Sequence, residues 1–258
     1  MKIVVLVKEV PDTYGDRVLN LETGLADRSA SEAVLDEVGE RALEVALAFS
    51  DNHPGTEVTA LSMGPASAAP SIRKALAMGA DKAVHVADED LLGADYTLTA
   101  EVLAAAIARE GFDLVVTGNI STDGAGGVVP AMIAEHLRIP HAGNLEEVTI
   151  SDSGITGTRA TEQGSMTLSA PLPALISVTE QLPEGRYPSF KGIMAAKKKP
   201  YETVTLSELD IDPEDTAKAR SIVVEISARQ PRAAGTTVVD DGDAGEKLAA
   251  FLISRGLA

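Results

Sequence analysis

The densest chemical signal in the sequence is Thr117-Gly118-Asn119-Ile120-Ser121-Thr122-Asp123-Gly124-Ala125-Gly126-Gly127-Val128-Val129-Pro130. It follows an apolar run and precedes a helical pattern. Glycines let the backbone take positive φ and approach a ligand closely. Pro130 suits a first helical turn, where a missing N–H costs nothing. Free amides at a helix start, aided by the helix dipole, favour an anion. A phosphate is the natural guest, with Ser121 and Thr122 as added hydroxyl donors. The stretch is neither a P-loop, which ends in Gly-Lys-Ser/Thr, nor a Rossmann fingerprint, which would follow the first strand. From the residues alone, a phosphate loop and a plain glycine-rich connection both remain open.

Two other segments could share a crevice with it. Val7-Lys8-Glu9-Val10-Pro11-Asp12-Thr13-Tyr14 closes the first apolar run, and Gly64-Pro65 closes the second. In open α/β sheets ligands sit beyond the carboxyl ends of strands, where the strand order reverses. Lys8 and Asp12 by themselves read as a solvated pair.

Catalytic sets are thin. His53, His85, His136 and His141 lack ligand spacing, and His85 reads as a satisfied core residue within a strand. No serine occupies a Gly-x-Ser-x-Gly elbow. The acid pairs Asp36-Glu37 and Glu146-Glu147 read as solvated faces. With no cysteine, disulfides, thiol catalysis and cysteine-bound metal are excluded, and no metal site is expected. No catalytic residue is assigned, and the chain reads as a non-enzyme.

The chain is strongly acidic, with 22 basic against 39 acidic residues and a net charge of −17. Nucleic acid is therefore an unsuitable partner. Yet residues 185–199 hold Arg186, Lys191, Lys197, Lys198 and Lys199 and no acid. Tyr187, Phe190, Ile193 and Met194 lie among those charges. An apolar anchor with a basic rim suits docking onto a partner, the anchor filling a pocket and the charges steering encounter. A helix that packs its apolar face and solvates its lysines is the alternative.

These residues need a scaffold. Apolar runs at Ile3–Val7, Val58–Met63, Lys82–Val86 and Asp113–Thr117 alternate with helical patterns at Ser31–Ser50, Ala66–Met78, Ala94–Arg109 and about Val128–Leu137. That alternation predicts a doubly wound α/β fold with a mostly parallel sheet and right-handed crossovers. Leu145–Ile150, Gly154–Ala160 and Ser165–Ala170 read as a small antiparallel hairpin extension, and Ala174–Val178 as a last core strand. Residues 1–185 then form one α/β nucleotide-binding domain. Residues 186–258 form a recognition loop and an extended C-terminal arm, with a short helix at Lys247–Arg255. An arm of this length is short for a core of its own and would pack on another chain, the partner subunit, or on its own domain. No apolar run reaches the roughly 20 residues of a membrane span, so no membrane insertion is expected. The N-terminus reads as a strand and not a signal peptide, and a cytoplasmic location is expected.

Three segments together resemble the β subunit of electron-transfer flavoprotein: Val7-Lys8-Glu9-Val10-Pro11-Asp12, the stretch from Ile72-Arg73-Lys74-Ala75 through Gly79-Ala80-Asp81 to Val86, and Arg186-Tyr187-Pro188-Ser189-Phe190-Lys191 with its trailing lysines. The resemblance implies a heterodimer whose α subunit holds most of an FAD, while the β subunit binds AMP and docks acyl-CoA and related dehydrogenases. Electrons then pass through the FAD to a quinone reductase. By position it implies an AMP pocket from Leu6, the start of the first helix at Ala33, Val34, Leu35 and Asp36, Met63, and Gly118, Asn119, Ser121, Thr122, Asp123, Gly124, Ala125, Gly126, Gly127, Val128 and Val129. Many members have Asn-Pro-Phe at Ala33–Leu35 and Asn-Gln-Thr-Gly at Gly127–Pro130, so the implied contacts there are backbone N–H groups. Tyr14 and Leu35 would neighbour the flavin, and Phe190 stands where the family usually has a leucine anchor. A bifurcating version with a second FAD in place of AMP, or an adenine-nucleotide-hydrolase-like enzyme on the same sheet, are the alternatives. The hydrolase reading lacks its Ser-Gly-Gly-x-Asp-Ser after the first strand.

Overall fold

The computed structural model of the chain describes every residue except Asp16, Ala233 and Thr236. Met1–Glu225 forms one compact unit and Ile226–Ala258 a second.

In the first unit the strands are β1 (Lys2–Leu6), β2 (Glu9–Pro11), β3 (Ala33–Leu35), β4 (Glu57–Met63), β5 (Lys82–Val86), β6 (Leu114–Gly118), β7 (His141–Leu145), β8 (Glu147–Ile150), β9 (Gly154–Thr161), β10 (Gly164–Pro171), β11 (Ala174–Val178) and β12 (Tyr201–Val204). The helices are α1 (Glu37–Asn52), α2 (Ala69–Met78), α3 (Tyr96–Glu110), α4 (Val129–Leu137) and α5 (Phe190–Ala196). The expected α/β architecture is present, and the main sheet has seven strands in the order β12-β5-β4-β1-β6-β11-β7. Every pairing within it is parallel.

Alternation along β1 divides the core. Ile3, Val5 and Val7 join Leu43, Ile72 and Leu76 of α1 and α2 on one face. Val4 joins Leu103, Ile107 and Ile133 of α3 and α4 on the other. Both faces are covered, which is why these strands read as unbroken apolar runs. β1 lies between β4 and β6, so the chain winds outward in opposite directions from it. The gap between β1 and β6 is therefore the switch point.

The structure departs from the sequence reading in four places. The first helix starts at Glu37 and not near Ser31. Ala33–Leu35 instead pairs antiparallel with Glu9–Pro11. The Asp36 carboxylate accepts the Val38 amide at 3.1 Å and caps the helix there. The run Leu145–Ile150 is divided between β7 in the parallel sheet and β8 in a separate three-stranded antiparallel sheet, β10-β9-β8. A strand at Tyr201–Val204, absent from the sequence reading, extends the main sheet beside β5. Finally, the expected boundary at 185 falls inside the first unit. Beyond β12, Lys218 and Arg220 both pair with Glu101 of α3, Arg220 at 2.7 Å, which holds the chain to the body.

In the second unit, the short helix expected at Lys247–Arg255 spans Ala244–Ser254 (α6). Asp243 and Lys247, four residues apart, pair across its first turn at 2.7 Å.

Candidate functional site

The crevice at the switch point is built by three loops that follow β1, β6 and β3. After β1, the Lys8 ammonium reaches the Asp123 carboxylate at 2.7 Å and lies 3.5 Å from the Ser121 hydroxyl. Lys8 does not pair with Asp12. The Asp12 carboxylate instead accepts the Tyr14 amide at 2.9 Å. Arg28 reaches the other Asp123 oxygen at 3.4 Å and the Glu9 carbonyl at 3.3 Å, which ties Arg28 to the glycine loop. Burial would raise the Asp123 carboxyl. The Lys8 ammonium, the Ser121 hydroxyl and the Gly124 amide outweigh that and hold it below the ordinary carboxylate range.

Asp36 was expected to be solvated, but only 2% of it is exposed. One oxygen caps α1. The other accepts the Thr122 amide at 2.8 Å and its hydroxyl at 3.2 Å. Both acids of the crevice are thus satisfied by partners within the protein. That matters for an anion site, because an unpaired carboxylate would repel a phosphate.

The glycine loop itself is shaped from within. The Ala125 amide donates to the Ser121 carbonyl at 3.0 Å. Ala125 and Gly127 take positive φ, +49° and +65°. The amides of Gly126, Gly127, Val128 and Val129 make no hydrogen bond to the described residues. Val128 gives α4 no side-chain cap, and Pro130 sits in the first turn as expected. Consecutive free amides at an uncapped helix start are the kind of donor array that suits an anion. The Asn119 Oδ1 is also buried without a partner, an acceptor left free at the same loop. At Gly118 an added Cβ would lie 3.1 Å from Val38, so α1 starts hard against the end of β6.

The remaining expected positions separate. Leu6 and Met63, at the ends of β1 and β4, are partly buried and pack on the second core. Ala33 is exposed on β3, Val34 is partly buried beside it, and Leu35 is only 4% exposed in the first core. Of the two residues expected beside a flavin, Tyr14 alone is open, at 99% exposure.

The basic island divides in a similar way. Tyr187 and Phe190 are 92% and 81% exposed, and Ile193 and Met194 are about half exposed. Lys191, Lys197 and Lys198 are exposed around them. Arg186 and Lys199, at the two ends, face inward. The Lys199 ammonium donates to the carbonyls of Leu76, Gly79 and Ala80 at 2.6–3.1 Å, closing the C-terminal end of α2. Burial pulls its pKa down. Between these ends Ser189 caps α5, accepting the Gly192 amide at 3.1 Å. A Cβ on Gly192 would come within 2.3 Å of the Ala77 carbonyl oxygen, so only glycine lets α5 lie this close to α2.

An all-parallel doubly wound sheet with a glycine loop at its switch point occurs in many families, so the geometry alone does not choose among them. Residues 23–209 match the family model described as the electron transfer flavoprotein domain. The chain belongs to the electron transfer flavoprotein family, as a β subunit. It is 46% identical to the electron transfer flavoprotein subunit beta of Mycobacterium tuberculosis over 260 residues, covering 98% of each chain. It is 35% identical to the subunit of that name in Bacillus subtilis over 216 residues, 83% of each. It is also 32% identical to the caffeyl-CoA reductase-Etf complex subunit CarD of Acetobacterium woodii, over 99% of this chain and 97% of that one. The β subunit thus serves electron transfer together with an α subunit. None of its described helices is long and apolar enough to cross a membrane.

Sequence reasoning missed Arg28 and Tyr96, which touch the glycine loop at Asp123 and Gly124, and Glu44 and Asp51, which pair with the inward-facing Arg186. Tyr96 was detectable only as an aromatic following the helix-cap residue Asp95 in a chain with 3% aromatics.

Proposed function

We propose that this β subunit binds AMP at the β1–β6 switch point, helps enclose an FAD held by the α subunit, and docks acyl-CoA-type dehydrogenases on the exposed patch around Phe190. The observation that carries the nucleotide reading is the run of unpaired amides at Gly126–Val129 on the uncapped start of α4. They supply donors and a dipole for the phosphate, while Lys8 and Arg28 add positive charge nearby. The Asn119 Oδ1 is placed to accept a donor of the nucleoside. The AMP acts structurally, stabilising the folded form by mass action.

The FAD supplies the redox chemistry when bound. This chain's part is to present Tyr14 toward it and to hold its donor enzyme at the patch. Electrons enter from the docked dehydrogenase and leave to a quinone reductase. Phe190 is the anchor, Tyr187, Ile193 and Met194 widen it, and Lys197 and Lys198 steer approach. The exposed apolar run Ile222–Val224 suits burial against the α subunit. We place the complex in the cytoplasm.

Denaturing the purified α–β complex and weighing the released small molecules tests the reading. One AMP and one FAD per complex are expected. A second FAD with no AMP would transfer the site to a flavin, and a complex with no adenylate beyond one FAD would remove the nucleotide role.

A further inference from the structure

Tyr96 is the first residue of α3 and reaches the glycine loop from that helix. Its hydroxyl donates to the Gly124 carbonyl at 3.0 Å. Its ring lies over Gly126. A Cβ built there would come within 2.4 Å of the ring carbon bearing the hydroxyl and 2.5 Å of the hydroxyl oxygen. Gly126 does not have positive φ, so its backbone would accept alanine and only the tyrosine excludes a side chain. Asp95 fixes the start of α3 by accepting the Leu98 amide at 2.8 Å, so the tyrosine projects from a rigid base. The preceding residues of the loop are held by Asp36 through the Thr122 amide and by Lys8 through Asp123. Tyr96 is the hold at Gly124 and Gly126, where the unpaired amides begin.

We propose that Tyr96 is a latch that positions the Gly124–Gly127 turn and sets how fast an adenine mononucleotide leaves the site. This rests on the adenylate reading above. The phenol ties down the Gly124 carbonyl, the ring packs against Gly126, and the next amides stay aligned for one anion. A loop fixed before binding loses less entropy on binding, and a latched loop must open to release its ligand. Tyr96 is a positioning residue, since its own contacts are to the loop.

The test uses the α–β complex and measures release of radiolabelled AMP after dilution. Tyr96→Phe keeps the ring and loses the hydroxyl, and release should quicken about 2- to 10-fold, as for one lost hydrogen bond. Tyr96→Ala should be faster still. Gly126→Ala should also release faster, because its methyl displaces the ring. The double variant Gly126→Ala/Tyr96→Ala should be no faster than Tyr96→Ala alone, since both changes break one contact. FAD content and the thermal midpoint of nucleotide-stripped complexes should stay at wild-type values, which separates a latch from a general packing role. Wild-type release from Tyr96→Phe and Gly126→Ala complexes that do bind AMP would overturn the latch and leave the adenylate site standing. Quickened release with additive effects in the double variant would also overturn it. Wild-type complex that neither contains nor takes up AMP would overturn the adenylate reading, and the latch with it.

Discussion

Arg186 and Glu44 form a two-pronged ion pair, Nε to Oε2 and Nη2 to Oε1, both at 2.8 Å, and the Arg186 amide donates to the same carboxylate at 3.0 Å. Asp51 takes a further guanidinium N–H at 2.9 Å. Glu44 first, then Asp51, raises the guanidinium pKa above its ordinary value. The pair fastens the entry of the exposed patch to α1, as Lys199 fastens its exit to α2. Arg186→Ala should loosen Tyr187–Ala196 without emptying the crevice. The bidentate pair is half sheltered, so the local loss should be about 1–2 kcal/mol. Hydrogen exchange of those amides should quicken about 5- to 30-fold, with nucleotide and flavin content unchanged. Wild-type protection would show that the pair holds nothing in place.

Phe190→Ala should weaken the dehydrogenase encounter by about 2 kcal/mol, or roughly thirtyfold in affinity, as for a central interface anchor. Because Phe190 is 81% exposed, the thermal midpoint should not fall. Reductive-transfer kinetics against donor concentration would show the loss as a raised half-saturation, and unchanged kinetics would remove Phe190 from docking.

The three neighbouring lysines should separate under substitution. Lys197→Ala with Lys198→Ala should slow association at low salt and have little effect at high salt, because exposed charges are screened. Lys199→Ala should instead cost about 1–3 kcal/mol of stability, since three carbonyls lose a charged donor. Denaturant titration beside salt-dependent association rates checks both. A Lys199→Ala complex of wild-type stability would contradict the inward role.

Those lysines also mark what a sequence conceals. Lys197, Lys198 and Lys199 are identical as letters, and only the nearness of the α2 end, about 120 residues earlier, makes the third structural. The buried strands were legible because burial on both faces leaves continuous apolar runs such as Ile3–Val7. The edge strand Tyr201–Val204 was not, because it buries only Val204 and keeps polar residues between. Ala33–Leu35 continues the apolar spacing of α1, so periodicity carried the helix too far, and only pairing with Glu9–Pro11 corrects it. The glycine loop was legible as a possible anion site from its composition and place. The Lys8–Asp123 pair and the Tyr96 contact were not, since they join residues 115 and 28 positions apart.

His85 gives the subunit an acid-side weakness. It is 2% exposed. Its Nε2 lies 3.0 Å from the Gly64 carbonyl, and its Nδ1 lies 2.8 Å from the Tyr201 hydroxyl. A carbonyl only accepts, so Nε2 carries the proton and Nδ1 accepts from the phenol. Burial lowers the His85 pKa, with the Gly64 bond and Glu9 opposing. Below the ordinary histidine value of about 6.5 the unfolded chain takes up a proton that the folded one refuses, so stability falls as pH drops. Asp123 adds a second loss further down. Its lowered carboxyl stabilises above about pH 4 and ceases to as pH falls through its folded value. The thermal midpoint should therefore decline from pH 7.5 to 5.5, about 2–4 °C for each kcal/mol. His85→Gln should start lower and decline less. A parallel decline would assign the sensitivity elsewhere.

The most direct test of the nucleotide crevice is photolabelling of the nucleotide-stripped α–β complex with an azido derivative of AMP, followed by peptide mapping. The label should fall on peptides carrying Gly118–Val129 or the start of α1 at Asp36–Val38, and unlabelled AMP should compete it away. Label that AMP cannot displace, or that falls only outside those peptides, would contradict an adenylate held at the β1–β6 switch point.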